Sequence, residues 1–158
     1  MSRRHLDFDT LRRTLGGRCF ICELLDGNPE FHHHVVYEDE NTIAFLNRFP
    51  PLFGCVLVAP RQHREGVTAD FSLDEYLALQ RVVYRVAEAV QRVVPTERLY
   101  ILSLGSQQGN SHVHWHVAPL PPGVAFADQQ FAALDTAERL DLSDDELADL
   151  ATRIRAAI

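Results

Sequence analysis

The sequence predicts an α+β domain, built as a mostly antiparallel five-stranded sheet with a long helix and a C-terminal helix. Short runs of β-branched and aromatic residues recur between turn residues, which is the pattern of strands. A single long stretch keeps a helical period behind a capping box and stops at Pro95. A second capping box, Ser143 to Glu146, opens another helical stripe near the end. With 158 residues the chain is long enough for one domain with a proper core.

In chain order, "FDTLRRTL" (8–15) has the spacing of a short amphipathic helix, and "CFIC" (19–22) is expected in the loop after it. "HHVVYEDE" and "NTIAFLN" read as two strands joined by a turn near Asp39 to Asn41. "RFPPLFG" (48–54) is a proline-rich loop, and "CVLVAP" is a buried strand ended by Pro60. From Ser72, the residues Leu73, Tyr76, Leu77, Val83, Val86, Val90 and Val93 repeat at helical spacing and are expected in the core. "RLYILSL" (98–104) is a strand, "GSQQGNS" (105–111) a loop, and "HVHWHVAP" a further strand. The final helix carries Leu147, Leu150, Ala151 and Ile154 on one side. The chain divides into an N-terminal extension (1–18), a motif-bearing core (19–119) and a tail with its helix (120–158).

Composition narrows the function. The net charge is −7, which disfavours a nucleic-acid duplex as partner. Much of that charge lies in the tail, where residues 128–158 hold eight acids and three arginines. No apolar run reaches the ~18 residues of a membrane span, and the first residues lack the apolar stretch of a secretory signal. Three cysteines, Cys19, Cys22 and Cys55, with no signal segment point to a reducing cytoplasm. There, Cys-x-x-Cys reads as a metal or redox pair.

The chemistry centres on "GNSHVHWHVAP" (109–119). His112, His114 and His116 alternate with Val113, Trp115 and Val117, so on a strand the histidines share one exposed face and the apolar residues face the core. Same-face neighbours are about 7 Å apart, close enough to share a ligand. Three chemistries fit: a metal held by all three, covalent catalysis by one imidazole, or nucleotide binding without turnover. An imidazole of pKa ~6.5 is mostly neutral and nucleophilic at pH 7. A phosphorus centre suits the pair, one nitrogen attacking while the neighbour binds oxygen or protonates the leaving group.

The run from His112 to Ala118 resembles the His-φ-His-φ-His-φ-φ signature of the histidine triad (HIT) superfamily, where φ is apolar. The likeness extends over "VVYEDENTIAFLNRFPPLFGCVLVAPRQH" (35–63), the long helix and "YILSLGSQQG", so residues 19–119 are covered in order. The resemblance implies a HIT-like fold and a nucleotidyl-histidine intermediate. His114 matches the nucleophile and His116 the phosphate-contacting partner. Asn47 matches the position that holds the ribose hydroxyls, a role an amide can fill, although an Asn before a proline-rich loop also forms turns. Two departures stand out. Phe53-Gly54-Cys55 replaces the common Pro-Gly-His, which leaves Cys55 as a small buried residue. Gly109-Asn110-Ser111 is shorter than the usual loop, so Ser111 and Asn110 become the phosphate-contacting candidates, with Gln107 and Gln108 behind them.

The zinc-bearing branch of the family has a cysteine pair and two histidines at similar positions. That implies a structural zinc on Cys19, Cys22, His63 and His112, with one histidine for the metal and two for chemistry. His32, His33 and His34 read as a solvated segment, one of which could replace His63. The resemblance further implies a homodimer and a small-molecule nucleotide substrate. The reaction expected is hydrolysis or transfer at the nucleoside-attached phosphorus of dinucleoside polyphosphates or related esters and amidates. A regulatory nucleotide-binding module with little turnover is the alternative.

Overall fold

The computed structural model describes residues 1–105, 110–134 and 138–158. Its elements run β1 (Arg3–His5), α1 (Phe8–Leu15), α2 (Phe20–Leu25), β2 (Val35–Glu38), β3 (Thr42–Leu46), β4 (Val56–Pro60), α3 (Leu73–Val93), β5 (Arg98–Leu102), β6 (Trp115–Leu120), α4 (Gln129–Leu134), β7 (Glu138–Leu140) and α5 (Asp144–Ala157), with short 3-10 turns at Pro29–Phe31 and Phe126–Asp128. The main sheet has the order β2-β3-β4-β6-β5, antiparallel at every pairing. A separate antiparallel pair, β1 with β7, was not expected; Arg3, Arg4 and His5 are exposed and show no apolar alternation to announce a strand.

The side-chain alternation of the central strands sorts the core into layers. Ala44, Leu46, Val56, Val58, Trp115 and Val117 face α3 and α5. Ile43, Phe45, Leu57 and Ala59 face the other way, onto Ile21 of α2 and the partly buried Phe20, Leu24 and Leu25. A smaller cluster joins Leu52, Cys55, Ala118 and Leu120 to Ala133 of α4. Both faces of the sheet are therefore covered, which is why β3 and β4 are buried at every position.

Three readings need correction. Residues 20–25 form a helix, not a loop: Cys19 is its N-cap, and the Cys19 Sγ accepts the Cys22 backbone N–H at 3.4 Å. The expected core set of α3 was too wide, since Leu73 and Leu77 are 72% and 51% exposed. The buried set is Leu79, Val82, Val83, Val86, Ala87, Ala89 and Val90. The histidine strand starts late, because His112 and His114 precede β6 and only His116 lies within it. Both expected capping boxes form, with Ser72 and Glu75 starting α3 and Ser143 and Glu146 starting α5.

The turn into β4 depends on Gly54. Its φ is +85°, and a Cβ there would lie 2.7 Å from Val94 Cγ2, so a side chain is opposed by both backbone and space. Among the described residues, no helix is long and apolar enough to cross a membrane.

Candidate functional site

The alternation that sends Val113 and Trp115 into the core turns His112, His114 and His116 toward the opposite, α2-bearing face of the sheet. That face is not solvated as expected. His112 and His114 are 1% and 4% exposed, because α2 and the residues after it lie over them. The rings also converge: the His114 and His116 centroids are 4.9 Å apart, nearer than strand spacing alone allows.

Backbone carbonyls fix the imidazole tautomers. A carbonyl can only accept, so His114 Nδ1, 2.8 Å from the His112 oxygen, carries the proton and Nε2 keeps its lone pair. His112 Nε2 likewise donates to the Pro60 oxygen at 2.8 Å, which frees Nδ1 as an electron-pair donor. His116 Nε2 lies 3.3 Å from the Leu104 oxygen. Burial pushes the pKa of His114 down. His116 is lowered to about 4, first by burial and then by the neighbouring His114. Both rings are therefore neutral at pH 7, and the protonated partner expected of the pair is absent from the free site.

His114 and His116 line a cavity of about 390 Å³, the size of a small-ligand pocket. Asn47 lines it too. The Asn47 Oδ1 accepts the Phe49 backbone N–H at 2.9 Å, so this residue also forms the turn that an Asn before a proline-rich loop favours. Apolar walls come from Leu57, Phe20, Phe31 and, from α1, Leu11 and Leu15. Arg18 and Arg48 bring positive charge to the lining. The Arg18 guanidinium sits 4.8 Å from the Phe31 ring centre, and Arg48 donates to the Glu30 carbonyl at 2.9 Å. Glu30 lines the cavity as well, its carboxylate 3.5 Å from Arg18. The pocket thus joins apolar walls to two arginines, one of them paired, and two neutral imidazoles, a lining that suits a flat heterocycle joined to an anionic phosphate.

Asn110 and Ser111 are not among the residues that line this cavity. Asn110 is buried, and its Nδ2 is 3.4 Å from the same His112 carbonyl that His114 uses. Ser111 is exposed and donates to Glu65 Oε1 at 2.7 Å, away from the cavity lining. Gln107 and Gln108 lie outside the described residues.

His33 corrects the solvated reading of 32–34. It lines the cavity, its ring lies 5.7 Å from that of Phe20 and 5.0 Å from that of Phe45, and its Nδ1 donates to the Phe31 carbonyl at 2.7 Å. Three consecutive histidines hid this alternation, in which the middle one turns inward. Cys55 is buried, and burial raises its thiol to about 12, so it is an inert core residue.

Cys19, Cys22, His63 and His112 come together although 93 positions separate the first from the last. His112 Nδ1 lies 3.4 Å from Cys19 Sγ and 3.6 Å from Cys22 Sγ, and His63 Nδ1 lies 3.4 Å from Cys22 Sγ. A tetrahedral ion with bonds of ~2.3 Å to sulfur and ~2.05 Å to nitrogen places those donors about 3.5 Å apart. The cluster thus has the spacing and donor set to hold a metal ion. Its outer partners orient the rings as well: Glu65 Oε1 receives His63 Nε2 at 3.2 Å and the Ser111 hydroxyl, while Pro60 holds His112. Glu65 is the supporting residue that sequence reading missed, because its contact to Ser111 spans 46 positions. Burial and the adjacent Cys19 raise the Cys22 thiol to about 11, a proton that a bound cation would displace.

Comparison with known proteins matches a HIT domain over residues 28–122. An uncharacterized HIT-like protein of Saccharolobus solfataricus is 31% identical over 104 residues, covering 64% of this chain and 73% of that protein. Among solved structures, a hypothetical histidine triad nucleotide-binding protein from Sulfolobus tokodaii superposes with a TM-score of 0.70 at 25% identity, over 88% of this chain and 91% of the other. A Zn-bound histidine triad family protein from Mycobacterium smegmatis gives 0.67 at 23% identity, over 89% and 92%.

Proposed function

This chain belongs to the HIT family, and from that premise we propose that it is a nucleotide hydrolase or nucleotidyl transferase working through covalent attachment to His114. The supporting observation is the His114 tautomer: Nδ1 is tied to a backbone carbonyl, so Nε2 carries the lone pair on a ring that lines a nucleotide-sized cavity. The substrates are dinucleoside polyphosphates or related nucleoside phosphate esters and amidates, attacked at the phosphorus attached to the nucleoside.

In the first step His114 Nε2 forms a bond to that phosphorus as the phosphorus–leaving-group bond breaks. The leaving group departs with the bonding pair and is protonated by solvent. His116, its ring centre 4.9 Å from that of His114, would contact a phosphoryl oxygen through its Nε2–H, which in the free site faces the Leu104 oxygen at 3.3 Å. Water or phosphate then takes the nucleotidyl group, breaking the N–P bond and regenerating the imidazole. Asn47, which lines the cavity, would receive the ribose hydroxyls.

Zinc is the ion that best suits two thiols and two imidazoles, and the Zn-bound relative from Mycobacterium smegmatis supports the assignment. Four protein ligands would leave no open position, so a zinc held there would brace structure. It would tie the α2 N-terminus to the chain entering β6, and the His112 carbonyl then passes that position on to His114. Free thiols in a zinc-binding pair fit a reducing cytoplasm.

The His114→Ala variant tests the proposal. Turnover of a diadenosine polyphosphate should fall on the order of a thousandfold or more while nucleoside monophosphate still binds. His114 is buried, so a His114→Gln variant controls for the void left by alanine. Near-normal turnover in either variant contradicts covalent catalysis by this residue.

A further inference from the structure

A second group of metal-ligating side chains lies outside the cavity and outside the Cys2His2 cluster. His32, His34 and Asp144 each bring one donor atom within 4.8 Å of the others. The residues come from distant parts of the chain, two from the segment before β2 and one from the first turn of α5. His34 Nε2 lies 2.8 Å from Asp144 Oδ1, and the two imidazole rings are 4.9 Å apart. Their convergence follows from the extended backbone at His32 (φ −56°, ψ 133°), which sends His32 and His34 to one side and His33 to the other. We propose that His32, His34 and Asp144 form a second, exchangeable site for a borderline divalent transition metal such as Ni²⁺, Co²⁺ or Zn²⁺.

The donors select the class of ion. Two imidazoles and a carboxylate suit first-row ions of borderline softness, whereas Mg²⁺ and Ca²⁺ favour oxygen donors. With bonds of ~2.1 Å, adjacent donors of an octahedral ion lie about 2.9 Å apart, close to the present His34–Asp144 separation. Three protein ligands leave positions for water, and the group opens onto solvent, with the Asp144 side chain 79% exposed. Arg4 and Arg48 line the same hollow, and their charge opposes a cation. The ion is therefore held more weakly than at the two thiolates and two imidazoles, and it exchanges with solvent.

An ion there would have a consequence for the cavity. His33, between the two ligands, packs on Phe20 and Phe45 and lines the nucleotide pocket. Clamping 32–34 to α5 would fix that part of the wall without the metal touching substrate.

Calorimetric titration of the full chain, as purified, with Ni²⁺ tests the site, with imidazole ¹⁵N shifts read in parallel. The native chain should bind one ion that perturbs His32 and His34 and leaves His63 and His112 in place. His32→Ala and Asp144→Asn, both at exposed positions, should weaken that event by at least about tenfold while the circular dichroism spectrum stays that of the native fold. Cys22→Ser should retain it, which separates this site from the Cys2His2 cluster. Absence of a binding event, equal binding in the two exposed variants, or loss only in Cys22→Ser would each overturn the proposal.

Discussion

At the scale of single residues, the chemistry is set by what holds each imidazole. Gly105 is one such neighbour: a Cβ there would lie 2.8 Å from the Asn110 carbonyl and 3.1 Å from His114 Cε1. Gly105→Ala should therefore lower kcat by tenfold or more through displacement of the ring, with a small change in melting temperature; unchanged kcat would show that the ring position is not critical. Glu65→Gln should weaken zinc binding by about 10–100-fold in competition with a chelator, because it loosens His63 Nε2. Ser111→Ala should move it in the same direction by less. The pKa of His116 has a sign that can be checked. Its folded value near 4 lies below the ordinary 6.5, so the unfolded chain binds more protons between those values. Its contribution to stability is complete above about pH 6.5 and is lost as pH falls toward 4. His116→Asn should flatten denaturation midpoints measured across that window. The alternation of His112, His114 and His116 was legible because period 2 needs only the local sequence. The bond of Ser111 to Glu65 had no local signal because the two are distant in the chain, and neither had the inward turn of His33.

At the scale of elements, the strands of the main sheet and the helices α1, α3 and α5 were readable, whereas α2, α4 and the β1–β7 pair were not. The capping boxes of α3 and α5 and the apolar runs of β3 and β4 state their structure within a few residues. The α2 helix was obscured because Cys-x-x-Cys was read as a ligand loop, whereas Cys19 serves as both N-cap and prospective ligand. The β1–β7 pair depends on a meeting of the two ends of the domain, which no local pattern encodes. The α1 helix has no buried residue, yet Leu11 and Leu15 line the cavity. Its role is thus at the pocket and not in the core. Leu11→Ala should raise KM severalfold and leave both kcat and thermal stability near their starting values; a large loss of stability with unchanged KM would return α1 to a purely structural role.

At the scale of the whole molecule, one face of the fold remains apolar and open. Leu73, Leu77 and Tyr84 form a line along α3, 72%, 51% and 65% exposed, on the side turned away from the buried residues of that helix. Strand β5 stands at the sheet edge with Ile101 exposed. An open edge and an apolar stripe favour pairing of two copies about a two-fold axis. Sedimentation should therefore give twice the 17.9 kDa chain mass at micromolar concentration, and Leu77→Glu should shift it toward the single chain. A 17.9 kDa species alone would contradict the homodimer. The proposed function turns on one chemical event, the bond between His114 and phosphorus. Acid-free rapid quenching during turnover of a diadenosine polyphosphate, followed by peptide mass spectrometry, observes that bond directly. The expected result is one nucleoside monophosphate on the peptide containing His114, formed and consumed within a turnover and absent from His114→Ala. Full turnover with no adduct under conditions that preserve an authentic phosphohistidine, or an adduct on a different residue, would contradict it.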